Sequence, residues 1–325
     1  MGTTERSDRV GQSGRSRPSS AIFANLKRIK AHHTQIIRLF QASFTIPAVL
    51  SGAESDRRPV CSGSTSGLVK YWRETVAVAR RIAIELLRRR RSLVFWGVFP
   101  IAVLWLNGLI LAERAQLERG AAFALAAPVT LVGAALFFSC LGGSVATVVA
   151  EREQRTLKRL FVSPLSGTSY FLGIFLAHTG IGLGQTLLVA AVAAIAGAQF
   201  SGSWWLSLAI VLLSIAAYVG VGFVLGTQFA RRTEDVNALV ATFGVPLLIL
   251  GGTFLPASLF PQILLDIARF NPIYHMNEAL LGATAAAPLW REIAPHFYFL
   301  AVFAIAMLGA GWHSYRRMLQ VEQRL

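Results

Sequence analysis

The chain has 325 residues, of which 54% are hydrophobic and only 14% charged, with 31 Lys and Arg against 16 Asp and Glu and a net charge of +15. Soluble domains carry about a quarter charged residues, so this composition excludes an ordinary soluble globule. The basic surplus suggests nucleic acid, but the positive-inside bias of a membrane protein accounts for more of it, and no nucleic acid is expected as a partner.

Residues 1–68 read as a polar, poorly ordered extension. Met1–Ser20 is rich in Ser, Gly and Arg, has no apolar core of a signal peptide, and reads as disordered. Ala21–Gln41 has the pattern of a basic helix, read either as a membrane-surface segment or as part of the leader. The two cysteines, Cys61 in this leader and Cys140 in an apolar run, do not suggest a disulfide framework.

Residues 69–325 read as one membrane domain. Val69–Arg91 predicts a basic amphipathic helix with Trp72, Val76, Ala79, Ala83, Leu86 and Leu87 on one face. Arg73 and Arg81 lie opposite or beside that face, Arg80 lies between them in sequence, and the helix ends in four consecutive arginines, Arg88–Arg91. Such a helix lies in the membrane interface, where each Lys or Arg beside anionic lipid contributes roughly 1 kcal/mol. Membrane lipid is therefore an expected partner; the blander reading is a stop signal for the span that follows.

Five charge-free windows come next: Ser92–Ala112, Gly120–Ala150, Leu160–Ala230, Val236–Leu265 and Ile293–Tyr315. Each exceeds the roughly 18 to 20 residues that cross a bilayer. The third, 71 residues long, must hold two crossings. The predicted fold is all-α integral membrane, with six transmembrane helices, an N-terminal amphipathic interfacial helix, and short re-entrant helices between the fifth and sixth spans. Placing the segment before the first span in the cytoplasm puts 17 Lys and Arg in inner segments against four in outer ones, with both termini inside.

Between the second and third spans stands Glu151-Arg152-Glu153-Gln154-Arg155-Thr156-Leu157-Lys158-Arg159, six charges in nine residues. Such a cluster cannot sit in hydrocarbon, so the chain surfaces here. After the fifth span, Gly251-Gly252 and then Pro256 and Pro261 interrupt the helix, and Asn271-Pro272 opens another short one.

No phosphate-cradling G-x-x-x-x-G-K-[ST] loop occurs, so ATP and magnesium are not expected on this chain, and it is read as no enzyme itself. No metal or catalytic signature appears either. Buried carboxylates, which ion-coupled transporters normally need, are lacking in the spans; this weighs against a secondary transporter, and a membrane-embedded enzyme is opposed by the lack of clustered His, Asp or Glu. His178 and Gln185, about two turns apart in the third span, have two readings each: packing residues within the bundle, or contacts in a pore.

Glu151-Arg152-Glu153-Gln154-Arg155-Thr156-Leu157, followed by Leu160 and Ser163-Pro164, resembles the cytoplasmic loop of type-2 ABC exporter membrane subunits. Gly252-x-Phe254-x-Pro256, then Pro261, then Asn271-Pro272, is similar to that family's segment after the fifth span. Arg155 stands where the family usually has Gly, and should favour continuous helix there. The resemblance covers about Leu68 to Leu325. It implies a pore of two permease copies, a homodimer, driven by separate ATP-binding subunits that carry ATP and magnesium. It also implies that the charged loop and the amphipathic helix dock on those motors. The plain alternative for the loop is a solvated connection. The cargo expected is a drug, antibiotic or other amphiphile; lipid, polysaccharide or haem export by the same family, and ATP-independent secondary transport, are the alternatives.

Overall fold

The computed structural model describes residues 65–154, 166–254 and 256–324, and every element among them is helical. The leader readings within residues 1–64, and Arg155, Thr156, Leu157, Leu160 and Pro164, lie outside the described residues. Nine α-helical elements follow in order. They are α1 (Thr65–Arg88), α2 (Arg90–Arg114), α3 (Arg119–Glu153), α4 (Gly167–Ile195), α5 (Trp204–Phe229), α6 (Thr233–Leu250), α7 (Gln262–Ala268), α8 (Pro272–Thr284) and α9 (Trp290–Arg324). A short 3₁₀ turn, Ala257–Leu259, precedes α7. Six of these, α2 to α6 and α9, are long and apolar enough to cross a membrane.

The expected spans are found, mostly with ends a few residues further out. The largest difference is α9, which continues past the end of its charge-free window at Tyr315 to Arg324. Its last turns are held by packing: Tyr315 and Met318 are buried, and Trp312 and Tyr315 pack against Phe171 of α4. On α7, Gln262 and Arg269 both donate to Asp266.

The centre of the bundle is formed by α3 and α5, whose most apolar stretches are 72% and 61% buried, against 17% for α6 and for α9. Small residues let these helices approach. Gly222 of α5 faces Ser144 of α3 so closely that a Cβ there would collide with the Ser144 hydroxyl. A Cβ on Gly220 would stand 2.7 Å from the Met307 carbonyl carbon of α9, and one on Gly311 would stand 2.9 Å from the Gly220 carbonyl oxygen. Four buried span hydroxyls bond within their own helices: Ser139, Thr147, Ser214 and Thr227 each donate to the carbonyl four residues back. The Tyr218 hydroxyl instead crosses between helices, donating from α5 to the Val132 carbonyl of α3 at 3.1 Å.

The amphipathic helix α1 forms, but its buried stripe is rotated from the face read in the sequence. Thr75, Val78, Ala79, Ile82 and Leu86 are buried, whereas Trp72, Val76 and Leu87 are exposed. The reason is the neighbour. α1 packs along α4, where Gly173 admits Val78 so closely that a Cβ on that glycine would meet its side chain at 2.5 Å. One apolar edge is thus covered by protein and the other is left outward, with Arg73 and Arg80 exposed beside it.

Candidate functional site

The last turn of α3 gathers the site. Glu151, Arg152 and Glu153 are consecutive, so their side chains leave the helix about 100° apart and reach three different elements. Glu151 is 4% exposed, and its Oε1 accepts from Arg81 Nη2 of α1 at 2.6 Å. Arg152 Nη1 donates to the Gly226 and Ala230 carbonyls at 3.4 and 3.3 Å, satisfying the C-terminal end of α5 with a cation, the charge a helix C-terminus favours. Glu153 accepts from the Thr233 N–H at 3.1 Å and its hydroxyl at 2.8 Å, placing an anion at the N-terminus of α6.

The other root of the loop is held by the same strap. Ser166 caps α4 by accepting from the Ser169 N–H at 3.1 Å. Glu74 of α1 accepts from the Ser169 hydroxyl at 2.9 Å and from the Ser166 N–H at 3.5 Å. Glu74 and Arg81 are seven residues apart, two helical turns, so they share a face of α1. One helix therefore grips both chain ends that flank residues 155–165.

Beneath Glu151 lie Tyr170 of α4 and Tyr315 of α9, both buried and stacked at 6.4 Å. Their hydroxyls, and the second Glu151 oxygen, have no hydrogen-bond partner among the described residues. At the adjacent turn the half-buried Asp235 accepts from the Arg231 and Arg232 N–H groups, each at 2.9 Å.

The second motif ends α6 and opens α8. Gly252 has φ +81° and ends α6 in the left-handed conformation that glycine adopts without strain, with the Thr253 N–H reaching back to the Leu248 carbonyl. Asn271 caps α8 by accepting from the Ile273 N–H at 3.0 Å, and its amide donates to the Leu247 carbonyl of α6 at 2.6 Å. Pro272 occupies the first turn of α8, where a missing N–H costs nothing. Asn277 donates to the Gly251 carbonyl at 2.7 Å, and Asn107 of α2 to the Thr253 carbonyl at 3.4 Å. Pro261 precedes α7, and Pro256 and Phe254 lie exposed in the turn.

His178 and Gln185 are buried within the chain. The His178 Nδ1 meets the Ile174 carbonyl at 2.9 Å, so that nitrogen carries the proton, and the ring lies against Gly143 of α3. Sequence reasoning missed Glu74, Thr233, Asn277 and Asn107. A signal existed for Glu74, on the Arg81 face of a helix already expected; the others depend on distant neighbours.

No cluster of three or more His, Cys, Asp or Glu able to hold a metal occurs among the described residues. What the arrangement offers is mechanical: a charged turn tied to α1, α5 and α6, within a polytopic helical membrane protein. A family model for the ABC-2 family transporter protein matches residues 113–313, more than half the chain. The chain belongs to that family, the membrane permease subunits of ABC transporters, and membership implies a separate ATP-binding subunit as partner. It is similar to the Inner membrane transport permease YadH of Escherichia coli K12, 26% identical over 256 residues, covering 76% of this chain and 96% of that protein. It is also similar to the Probable multidrug ABC transporter permease YbhR of the same strain, 27% identical over 176 residues, covering 53% of this chain and 46% of the relative.

Proposed function

We propose that this chain is the permease subunit of an ATP-driven exporter in the inner membrane, with both termini cytoplasmic, paired with a second copy to form the pore. The ATP-binding subunit, which holds ATP and magnesium, docks on residues 154–166 and on α1 beside them. Arg155, Thr156, Leu157, Leu160 and Pro164 supply the contact; Trp72, Arg73 and Arg80 rest α1 on anionic lipid. A drug or other amphiphile is the cargo favoured, in line with the name of YbhR, a probable multidrug ABC transporter permease.

The observation that carries this reading is the double grip of α1 on the loop roots, through Arg81–Glu151 and Glu74–Ser169. A motor that moves the loop moves α1 and α4 with it, and through Arg152 and Glu153 also α5 and α6. Such a shift drives transport only if ATP-bound motors bind one arrangement of the helices better than the other. In this division Glu151 and Arg152 transmit, and the loop residues contact the motor.

The test is co-purification with the ABC ATP-binding subunit after replacing Arg155 and Leu157 by Ala. Docking at the loop predicts loss of the complex with unchanged thermal stability of the permease. An intact complex with full ATP-driven transport would remove the loop from the docking surface.

A further inference from the structure

At the end of the bundle opposite Glu151, a cavity of about 330 Å³ opens between α3, α4, α5 and α8. Ala127 and Leu131 of α3, Val189 of α4, Val211 of α5 and Leu280 of α8 form its walls. Three lining side chains carry hydroxyls, and each has already committed its proton. Thr186 donates to the Gly182 carbonyl, Ser207 to the Ser203 carbonyl and Thr284 to the Leu280 carbonyl, all at 2.9 Å. The remaining side-chain donor among the lining residues is the indole N–H of Trp204, which is 63% exposed and stacked on the 65% exposed Trp205 at 3.6 Å. The wall is built into the fold: the Ser203 N–H donates to the Ala283 carbonyl at 3.0 Å, and Gly202 passes so close to α8 that a side chain there would collide with its backbone.

We propose that this cavity holds one acyl chain of a bilayer phospholipid from the leaflet at that end. A lining whose hydroxyl protons are spent on its own helices offers a polar ligand only those hydroxyl oxygens and the Trp204 N–H, whereas a hydrocarbon chain needs only burial. The size is at the low end of small-molecule sites, about 300–1,000 Å³, which suits a single chain. The apolar walls offer water few hydrogen-bond partners. Trp204 and Trp205 set the depth. Stacked aromatics with polar edges sit at headgroup level, so a lipid enters with its headgroup beside them and its chain between α4 and α5. The chain then packs the junction that joins the α4–α5 turn to α8. The proposal needs only the membrane setting of the bundle, and neither its orientation nor its motor.

The experiment is photolabelling of the full-length chain in nanodiscs doped with a phosphatidylcholine bearing a mid-chain diazirine, mapped by peptide mass spectrometry. Labels are expected to concentrate on the segments carrying Thr186–Ala190 and Ser207–Val211. Thr186→Val, which keeps the shape and deletes the hydroxyl, should label as wild type. Ala190→Phe, which puts a ring into the space, should lower labelling roughly tenfold, a change corresponding to about 1.4 kcal/mol. Labelling no denser there than at exposed Val302 and Ile305 of α9 would overturn the proposal. So would loss of labelling in Thr186→Val, or displacement of the label by an amphiphilic cation at concentrations that leave the bilayer intact, which would assign the cavity to cargo. The readout uses no ATP, so either result leaves the exporter reading standing on its own test.

Discussion

Arg81 Nη2 stands 2.6 Å from Glu151 Oε1 and joins α1 to the end of α3 across 70 residues of sequence. Glu151 is buried while the Arg81 side chain is 44% exposed, so the pair is asymmetric. Removing the arginine strands a buried carboxylate, a loss of about 1–3 kcal/mol. Arg81→Ala should therefore lower the melting temperature in detergent. Glu151→Gln combined with Arg81→Ala should recover part of that loss, since the stranded charge is gone. Additive losses in the double variant would show that the two residues do not act as a pair.

Glycines of the spans divide into two groups. A Cβ on Gly220 would meet the backbone of α9 at 2.7–2.8 Å, whereas Gly180 and Gly184 on α4 have nothing within 4 Å of that position. Gly220→Ala should cost about 1–3 kcal/mol by forcing α5 and α9 apart. Gly180→Ala should be neutral or stabilising by up to about 1 kcal/mol, because alanine is the better helix former. Thermal melting of both variants, side by side, decides this. Equal effects would mean that the α5–α9 contact is looser than described.

Asn271 and Asn277 close the open end of α6, donating to the Leu247 and Gly251 carbonyls. Asn277→Leu removes the donor to a carbonyl at a buried glycine, and should cost about 1–3 kcal/mol, the penalty of an unpaired buried polar group. Hydrogen exchange should rise first in α8 and the last turn of α6. Protection unchanged at those amides would argue against the clamp.

His275, at the start of α8, has its Nε2 at 2.9 Å from the Arg269 carbonyl and its Nδ1 at 2.9 Å from His296 Nδ1. A carbonyl only accepts, so Nε2 carries the proton and Nδ1 accepts from His296. Burial holds the His275 pKa below its usual 6.5, partly opposed by the bond to Arg269. A depressed pKa means that the folded state prefers neutral imidazole. The stability it contributes is present above pH 6.5 and is lost as pH falls through the lowered value. Protonated Nδ1 would also face the His296 N–H and break the pair. Burial raises the nearby Glu278 carboxyl, and its protonation works in the opposite direction. Melting temperature in detergent should fall as pH drops below 6.5, and His275→Gln should flatten that fall. An unaltered slope would place the titration elsewhere.

The spans were legible because runs without charge have one stable setting, and the break after α6 because Gly252 and Asn271-Pro272 carry local backbone rules. The rotation of the α1 stripe was not legible. Trp72 and Val76 belong to the same apolar wheel as Ala79, and only the position of α4, set by Gly173 against Val78, decides which half is covered. The three-way division of Glu151, Arg152 and Glu153 was hidden for the same reason. All three read as one charged loop end, yet their partners, Arg81, Ala230 and Thr233, come from three distant segments.

Transport is the most direct test of the central claim. The chain would be co-expressed with an ABC ATP-binding subunit, and uptake of an amphiphilic dye followed in inside-out vesicles with and without ATP. The account predicts a stable complex and ATP-dependent uptake that falls when Arg155 and Leu157 are replaced by Ala, while the amount of permease in the membrane holds. A permease that purifies without an ATP-binding partner, and vesicles that take up the dye equally well without ATP, would contradict it.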